Sequence, residues 1–432
     1  MHQKNEIQQN QFLPVLFTML RKYTFQNLKG DFFAGLTVSI IALPLAMALA
    51  IASGAPPERG LFTAIIAGLA ISFFGGSRFQ ISGPTAAFIV VVSSIINQYD
   101  YSGLVIATFL AGIFLIIIGF LRFGNLIKYI PHPVINGFTA GIAIVIFISQ
   151  LKDLFGLPID SMPTDFFEKI TLLFTNFSSL SWEALCLSVS TVTIILFMRK
   201  MWPNSPAFLV AIVVCCLLTA GLGLSVETIG SRFGELPSSL PKPNIPENLW
   251  VRIVELLPSA LIITFLGALE SLLSAVIADD MTNTKHKPNC ELVAQGIGNM
   301  LSGLFGGMPA TGAIARTNTN IRAGANSPLS GIFHAVFIFI FMCVLAPFAE
   351  WVPLSALAAT LLIIAWNMLD FKGVIKTFRS KIADSTTFLT TFSLTILTDI
   401  TIAVTAGLAC AFLFFTSRKV FGKNVKKPIE QQ

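Results

Sequence analysis

Residues 67–88 read AGLAISFFGGSRFQISGPTAAF, and this stretch joins the end of a long apolar run to a short segment rich in small residues. The apolar run, 60–76, has the composition of a helix that crosses a bilayer. The segment that follows, 81–97, opens with glycine, proline, serine and threonine and is too short to cross alone. A crossing helix followed by such a half-helix is typical of secondary transporters, in which broken helices line a site inside the membrane.

A second copy of this pattern begins 231 residues later. Residues 298–307, GNMLSGLFGG, align with residues 67–76, AGLAISFFGG, and lead into another short segment, 310–323. Chance similarity of small and apolar letters is the alternative, but the matched position of the two short segments argues against it. Seven segments separate equivalent points in the two copies, so the second copy is predicted to be inverted in the bilayer.

The composition requires a membrane environment for most of the chain. Of 432 residues, 54% are hydrophobic and 12% are charged, whereas soluble domains have about 25% charged residues. Twelve segments are apolar and long enough to be strong transmembrane predictions: 32–52, 60–76, 103–121, 134–150, 183–198, 205–224, 253–278, 289–305, 330–349, 354–368, 384–400 and 401–417. With the two half-helices, the sequence predicts an all-α polytopic membrane protein with fourteen transmembrane segments in two inverted repeats of seven.

The distribution of lysine and arginine predicts the orientation of these segments. Alternate loops place 21 of the 28 basic residues on one side and six on the other, with Arg316 inside a half-helix. By the positive-inside rule the richer side is cytoplasmic, and it holds both termini. We therefore expect a multi-pass protein of the plasma membrane, of bacterial inner-membrane type, with a cytoplasmic segment 1–31 and a basic cytoplasmic tail 418–432. No signal-peptide pattern precedes the first span, and the scattered basic residues do not indicate nucleic acid.

The two half-helices carry the predicted anion site. A helix N-terminus presents unpaired N–H groups and about half a positive charge, which attract an anion when the end is buried in the membrane. Ser82 is the predicted cap of the first half-helix, and Pro84 is expected near its first helical position. The predicted substrate-binding residues are Ser82, Gly83, Thr85, Ala86, Gly312, Ala313, Ile314 and Arg316. Close packing of small residues is the alternative explanation of the same pattern.

Glu270 is the predicted ion-coupling residue, and Ser274 is assigned with it. Glu270 is the only charged residue in the apolar run 256–278. A carboxylate in a membrane is costly unless it lines a cavity, pairs with a cation or carries a proton. A purely structural pair with Arg316 is the alternative. His334, one span further, is more often a packing residue in such a position and is left out of the site.

The chain lacks the motifs of energy-driving and hydrolytic enzymes. It contains no GxxxxGK[ST], HExxH or GxSxG sequence, so it is predicted not to be an enzyme, with no catalytic residue, metal or cofactor. Its six cysteines have no paired CxxC spacing and are read as packing residues. Transport of a small anion is therefore expected to use exchange or an ion gradient, with protons or sodium as the coupling ion.

The sequence resembles the sulfate permease (SulP) family from about residue 30 to 417. The stretches that carry the resemblance are 35–54, 75–78, 82–85, 266–271 and 316–324. The resemblance implies a transmembrane domain over 32–417 that is divided into a core, segments 1–4 and 8–11, and a gate, segments 5–7 and 12–14. It also implies that the substrate is held between segments 3 and 10 and is carried by an elevator-like movement of the core.

Within the family, the sequence is most similar to the bacterial C4-dicarboxylate member, through 281–287, 295–296, 314–316 and 365–368. This similarity implies proton-coupled uptake of succinate, fumarate or aspartate, with sulfate as a second candidate, and a possible homodimer. Leu45 stands where many relatives have Glu or Gln, and no STAS domain is expected after the last span. A bicarbonate–sodium symporter or an anion exchanger is the alternative, and an anion channel is a second alternative. A nucleobase permease fits Arg316 less well.

Overall fold

A computed structural model describes residues 11–20, 23–125, 131–159, 162–163, 165–202, 205–245, 249–379 and 382–398, and single residues or short pieces within 402–413. The predicted tail 418–432 and most of the last predicted segment, 401–417, lie outside these residues. The first ten residues of the predicted N-terminal segment lie outside them as well.

The described residues are almost entirely helical. The helices of the first half are α1 Val15–Leu20, α2 Phe25–Ala52, α3 Pro57–Phe74, α4 Ile89–Phe120, α5 His132–Leu154, α6 Phe166–Thr175, α7 Trp182–Met201, α8 Ala207–Leu222 and α9 Ile229–Phe233. Those of the second half are α10 Leu249–Thr282, α11 Pro288–Leu304, α12 Ile314–Arg322, α13 Leu329–Ala349, α14 Leu354–Met368, α15 Phe371–Phe378 and α16 Ile382–Leu397. The described structure also contains short 3₁₀ turns, among them Ala86–Phe88 and Phe177–Ser179, and two strands, β1 Ser82–Gly83 and β2 Thr311–Gly312.

The all-helical membrane fold predicted from the sequence is confirmed. Eight helical stretches of the described chain are long and apolar enough to cross a bilayer, and α8 and α16 are shorter apolar helices. Each of the first thirteen predicted segments coincides with a helix. Segments 3 and 4 share one continuous stretch, Ala86–Phe120, which bends at Asp100, where the backbone adopts a φ of 60°.

The first span begins earlier than its apolar composition suggests. Its helix starts at Phe25 rather than at Phe32, because Thr24 caps it by accepting a hydrogen bond from the Asn27 N–H at 3.3 Å. Asp31 is fully buried within this polar first part. Its carboxylate accepts hydrogen bonds from the backbone N–H groups of Asn326 and Ser327, at 2.5 and 3.0 Å. The start of α2 is thereby attached to the link between α12 and α13.

The helices pack in two groups. The first, here called the core group, contains α2, α3, α4, α10, α11, α12 and α13, which correspond to predicted segments 1–4 and 8–11. The second, here called the gate group, contains α5, α7, α8, α14 and α16. The largest contact between the groups is made by α2 and α14.

Helices α4 and α11 form the closest pair of the core group, and glycines bring them together. A Cβ at Gly296 would lie 2.6 Å from the Gly112 carbonyl oxygen, and a Cβ at Gly112 would lie 2.6 Å from that of Gly296. Membrane helices gain much of their association energy from such close backbone approach, since lipid offers no hydrophobic drive between helices. The two helices each lead to or from one half-helix, so their separation fixes part of the site.

We expect Gly296→Val to force α4 and α11 apart and to destabilise the protein by about 1–3 kcal/mol or more, as overpacked cores do. Thermal unfolding in detergent, followed by size-exclusion chromatography, measures this as a lower midpoint. Gly221→Val is the matched control, because a Cβ at Gly221 has no neighbour within 4 Å. Equal midpoints for the two variants would contradict the glycine contact.

Candidate functional site

The two half-helices meet at a pair of two-residue strands. β1 and β2 pair antiparallel, with Ser82 opposite Gly312 and Gly83 opposite Thr311. The Ala313 N–H extends the pairing by donating to the Ile81 carbonyl at 2.9 Å. Each strand runs directly into its half-helix, so the pairing holds the two helix N-termini side by side. The sequence analysis missed the strands, because two residues carry no detectable alternation.

Glycine is required on both strands by close approach. Gly83 has a positive φ of 155°, and a Cβ there would lie 2.7 Å from Nη1 of Arg316. A Cβ at Gly312 would collide with the side-chain amide of Gln80. Ser82, Gly83 and Gly312 are buried and form the frame beneath the site. These three predicted binding residues are therefore buried within the strand pair and its surroundings.

The first half-helix begins later than predicted. Ser82 is not its cap, because Ser82 lies in β1 and its hydroxyl accepts a hydrogen bond from the Gln295 amide at 3.0 Å. Pro84 is not near the first helical position either, since the 3₁₀ turn that opens this half-helix starts at Ala86 and is preceded by Thr85 in an extended conformation. No side chain caps this turn.

The second half-helix, α12, begins at Ile314, and no side chain caps it. The predicted start, 310, is four residues too early. Residues 311–312 are extended in β2 and therefore do not belong to the helix. Ala313 is half-buried and Ile314 is 43% exposed, whereas Arg316 is only 4% exposed. Thr85 and Ala86 of the first half-helix are half-buried. The accessible residues of the predicted site are therefore Thr85, Ala86, Ala313 and Ile314.

Arg316 connects the two half-helices. Its guanidinium Nη2 donates to the carbonyl of Pro84, across from its own helix, and its Nε has no hydrogen-bond partner among the described residues. The charge is thus buried beneath the accessible residues rather than exposed beside them. An arginine in this position supports the positive potential of both helix ends and braces one against the other.

Glu270 reaches the first half-helix from α10. Its Oε2 accepts a hydrogen bond from the Thr85 hydroxyl at 3.0 Å, and its side chain is half-buried. Among the ion pairs of the described residues, none joins Glu270 to Arg316. The structural salt bridge considered as the alternative is therefore absent. Glu270 is a partly accessible carboxylate with one neutral donor, Thr85, which is an accessible residue of the predicted anion site.

Ser274, one turn beyond Glu270, faces the frame. Its buried hydroxyl donates to the Thr317 hydroxyl at 3.2 Å, and Thr317 in turn accepts from the Ile81 N–H at 3.1 Å. Ser271 was missed by the sequence analysis. It accepts from the Gly312 N–H at 3.1 Å and shares a 2.6 Å hydrogen bond with Thr311. The polar residues Ser271 and Ser274, three positions apart on α10, were the signal that this face of the helix contacts the second half-helix and its strand.

His334 lies in α13 and is fully buried. Both of its ring nitrogens are without a hydrogen-bond partner among the described residues. It makes no described hydrogen bond to the accessible residues of the site, and its unpartnered nitrogens differ from those of the satisfied packing histidine that is usual in such a position.

Comparison with known proteins identifies the family. The model of the sulfate permease family matches residues 28–391. A putative sulfate transporter of Bacillus subtilis, YvdB, is 44% identical over 397 residues, which cover 92% of this chain and 75% of that protein. The bicarbonate transporter BicA of Picosynechococcus is 32% identical over 400 residues, covering 90% and 70% of the two chains.

Solved structures have the same fold. The transmembrane domain of a cyanobacterial bicarbonate transporter BicA superposes with a TM-score of 0.78 at 32% identity, and the match covers 90% of this chain and 98% of that one. The structure of SLC26A9 superposes with a TM-score of 0.86, over 98% of this chain and 70% of that one. At 19% identity, the second match supports the fold alone.

We predict that Arg316→Ala lowers substrate affinity at least tenfold while the protein remains in the membrane. The substitution removes the charge beneath both helix ends and its hydrogen bond to Pro84, and a charged hydrogen bond contributes about 1.5–3 kcal/mol. A scintillation binding assay on purified protein measures the loss. Arg322→Ala is the control, because Arg322 lies in the last turn of the same helix and is exposed. Unchanged affinity in Arg316→Ala would remove Arg316 from the site.

We also predict that Ala86→Leu and Ala313→Leu abolish binding, because each places three additional carbon atoms on an accessible face in front of a half-helix. Uptake into proteoliposomes checks this, and the same substitution at Ala349, at the end of α13, serves as a control. Normal uptake by either site variant would place the binding site elsewhere.

Proposed function

The chain belongs to the sulfate permease family of anion transporters, and we propose that it is a secondary active transporter that couples uptake of a small oxyanion to a cation gradient. One observation carries the proposal: two half-helix N-termini without side-chain caps lie side by side, with Arg316 buried beneath them. Such ends offer N–H donors and positive potential to a bound anion. No hydrolytic or ATP-binding motif accompanies them.

Sulfate and bicarbonate are the proposed substrates. YvdB is named as a putative sulfate transporter and BicA as a bicarbonate transporter, and both are more than 30% identical to this chain. Both anions present several oxygen acceptors to converging N–H groups. The expectation of C4-dicarboxylate uptake has no support in the names of these relatives. It stays a prediction that the substrate assay described below tests.

Glu270 is the proposed coupling residue. Its carboxylate is half-buried and accepts a hydrogen bond from Thr85, which is one of the accessible residues of the anion site. A cation or proton bound at Glu270 therefore lies one hydrogen bond away from the anion. The favourable interaction between the two bound charges would make each ligand bind more tightly when the other is present. Ser274 contributes to this site indirectly, through its hydrogen bond to Thr317.

Transport is proposed to proceed by movement of the core group, which carries both half-helices, against the gate group. Leu45 and Ala86 of the core group border the same hydrophobic cluster as Leu361 and Ala365 of α14. The first half-helix and α14 therefore pack on one shared apolar cluster. An anion channel in the same fold would instead give current without dependence on a coupling ion. The plasma membrane, with both termini cytoplasmic, and a homodimer are the proposed setting.

Uptake into proteoliposomes tests the proposal. Labelled sulfate, bicarbonate and succinate are offered in parallel, with an imposed pH gradient, an imposed sodium gradient or neither. We expect accumulation of sulfate or bicarbonate above its external concentration with one of the gradients. Accumulation of succinate instead would restore the dicarboxylate prediction. Equilibration without accumulation, together with anion current, would replace the transporter by a channel.

We predict that Glu270→Gln abolishes uphill uptake but leaves substrate counterflow intact. Glutamine imitates a permanently protonated carboxyl, so the site still accepts an anion but no longer exchanges the coupling ion between the two sides. Exposed Glu255→Gln, on the same helix, is the matched control. If the Glu270→Gln protein still accumulates substrate when only an ion gradient is supplied, Glu270 is not the coupling residue.

A further inference from the structure

Helix α11 carries three long polar side chains at intervals of four residues. Glu291, Gln295 and Asn299 fall on one face and are 1%, 0% and 0% exposed. This face is turned towards the two strands, and here the three residues are called the polar ladder. Buried polar groups in a membrane domain are costly unless they are fully paired, so the ladder requires partners that the rest of the chain supplies.

Glu291, the first residue of the polar ladder, holds the segment before the first half-helix. Oε2 of Glu291 accepts hydrogen bonds from the backbone N–H groups of Gly76 and Ser77, at 2.9 and 3.0 Å. Its Oε1 accepts from the amide groups of Gln80 and Gln295, at 3.1 and 3.0 Å. Four N–H donors therefore surround this carboxylate, which satisfies it as an anion without a cation. Glu270, with one donor and partial access, has the opposite environment.

Gln295, the second residue of the polar ladder, contacts β1 directly. Gln295 donates its side-chain amide to the Ser82 hydroxyl in β1, as well as to Glu291. Gln80 lies against Gly312 of β2, where a Cβ would collide with it. Both amides direct their NH₂ groups to the carboxylate, and their carbonyl oxygens have no partner among the described residues. The negative charge of Glu291 thus fixes which way each amide is turned.

Asn299, the third residue of the polar ladder, holds the residue that immediately precedes β2. The Asn299 amide donates to the Ala310 carbonyl at 2.9 Å, and its Oδ1 accepts from the Ala310 N–H at 2.8 Å. This two-way bond imitates strand pairing immediately before β2. Within about two turns, α11 therefore contacts the segments that precede both half-helices. The three residues that make these contacts touch neither the accessible residues of the site nor Glu270.

We propose that the polar ladder is the positioning element of the anion site, in which Glu291 and Gln295 set the first half-helix and Asn299 sets the second. The inference rests on the proposed function for its effect on transport. Its effect on the backbone is independent of any substrate. The ladder residues are positioning residues, because their contacts are with the strands and the segments leading to them.

Hydrogen–deuterium exchange tests the positioning without a substrate. We expect Glu291→Gln to speed exchange at residues 76–83 while residues 308–313 stay protected, because the glutamine NH₂ would face N–H donors and release the Gln80 and Gln295 amides. Asn299→Leu should give the reverse pattern. The control is exposed Glu235→Gln. Equal loosening of both segments in either variant would reduce the ladder to general packing and overturn the proposal.

Uptake kinetics in proteoliposomes test the effect on the site, with sulfate and bicarbonate as probes. For Glu291→Gln we expect KM to rise about tenfold or more with kcat changed less than threefold, and the exchange Gln80→Glu with Glu291→Gln to restore KM by returning one carboxylate to the cluster. If Glu291→Gln does not fold, Gln80→Met replaces it, because this substitution removes one of the four donors. The same rise in KM with little change in kcat is then expected. An unchanged KM alongside faster exchange would overturn the positioning role. Failure of the wild-type protein to transport either probe would overturn the proposed function and leave the exchange result standing.

Discussion

The contact between β1 and β2 is the constraint on which the rest of the core group depends. Two helices are interrupted inside the membrane, and their free N–H and C=O groups have no water to bond. Each unpaired group would cost about 1–3 kcal/mol. Four residues of strand pairing cannot satisfy all of them, and buried side chains on α10, α11 and α12 supply further partners. The polarity of these helices is therefore a direct consequence of the broken ones.

Two buried carboxylates in this core illustrate how environment separates structural from functional charge. Glu291 has four N–H donors and is sealed from solvent. Glu270 accepts one hydrogen bond from Thr85 and is partly accessible. A carboxylate that is saturated with donors has little acceptor capacity left for a cation. One with spare acceptor capacity facing a partly open site can bind and release such an ion.

The helical fold and the region of the site were predictable from the sequence, because apolar length and small-residue interruptions are local properties. The late start of the first half-helix was not, since Ser82 and Pro84 are good cap and first-turn residues by local rules. Pairing with residues 230 positions away overrides them. Glu291 was missed for the same reason: near the end of a span it looks like an interfacial charge, and only the tertiary structure gives it four donors. The salt bridge between Glu270 and Arg316 was weighed and is absent, because Arg316 turns to Pro84.

The seam between α2 and α14 differs from the strand contact in its mechanical character. No hydrogen bond joins α2 to α14 among the residues that the structure describes, and the buried residues that these two helices contribute to their shared cluster are leucine, alanine and methionine. Dispersion contacts of this kind lose little energy when one smooth surface shifts along another, because new neighbours replace the old ones. Directional bonds break under the same displacement. A displacement along the seam between α2 and α14 would therefore cost less free energy than one that separates the two strands.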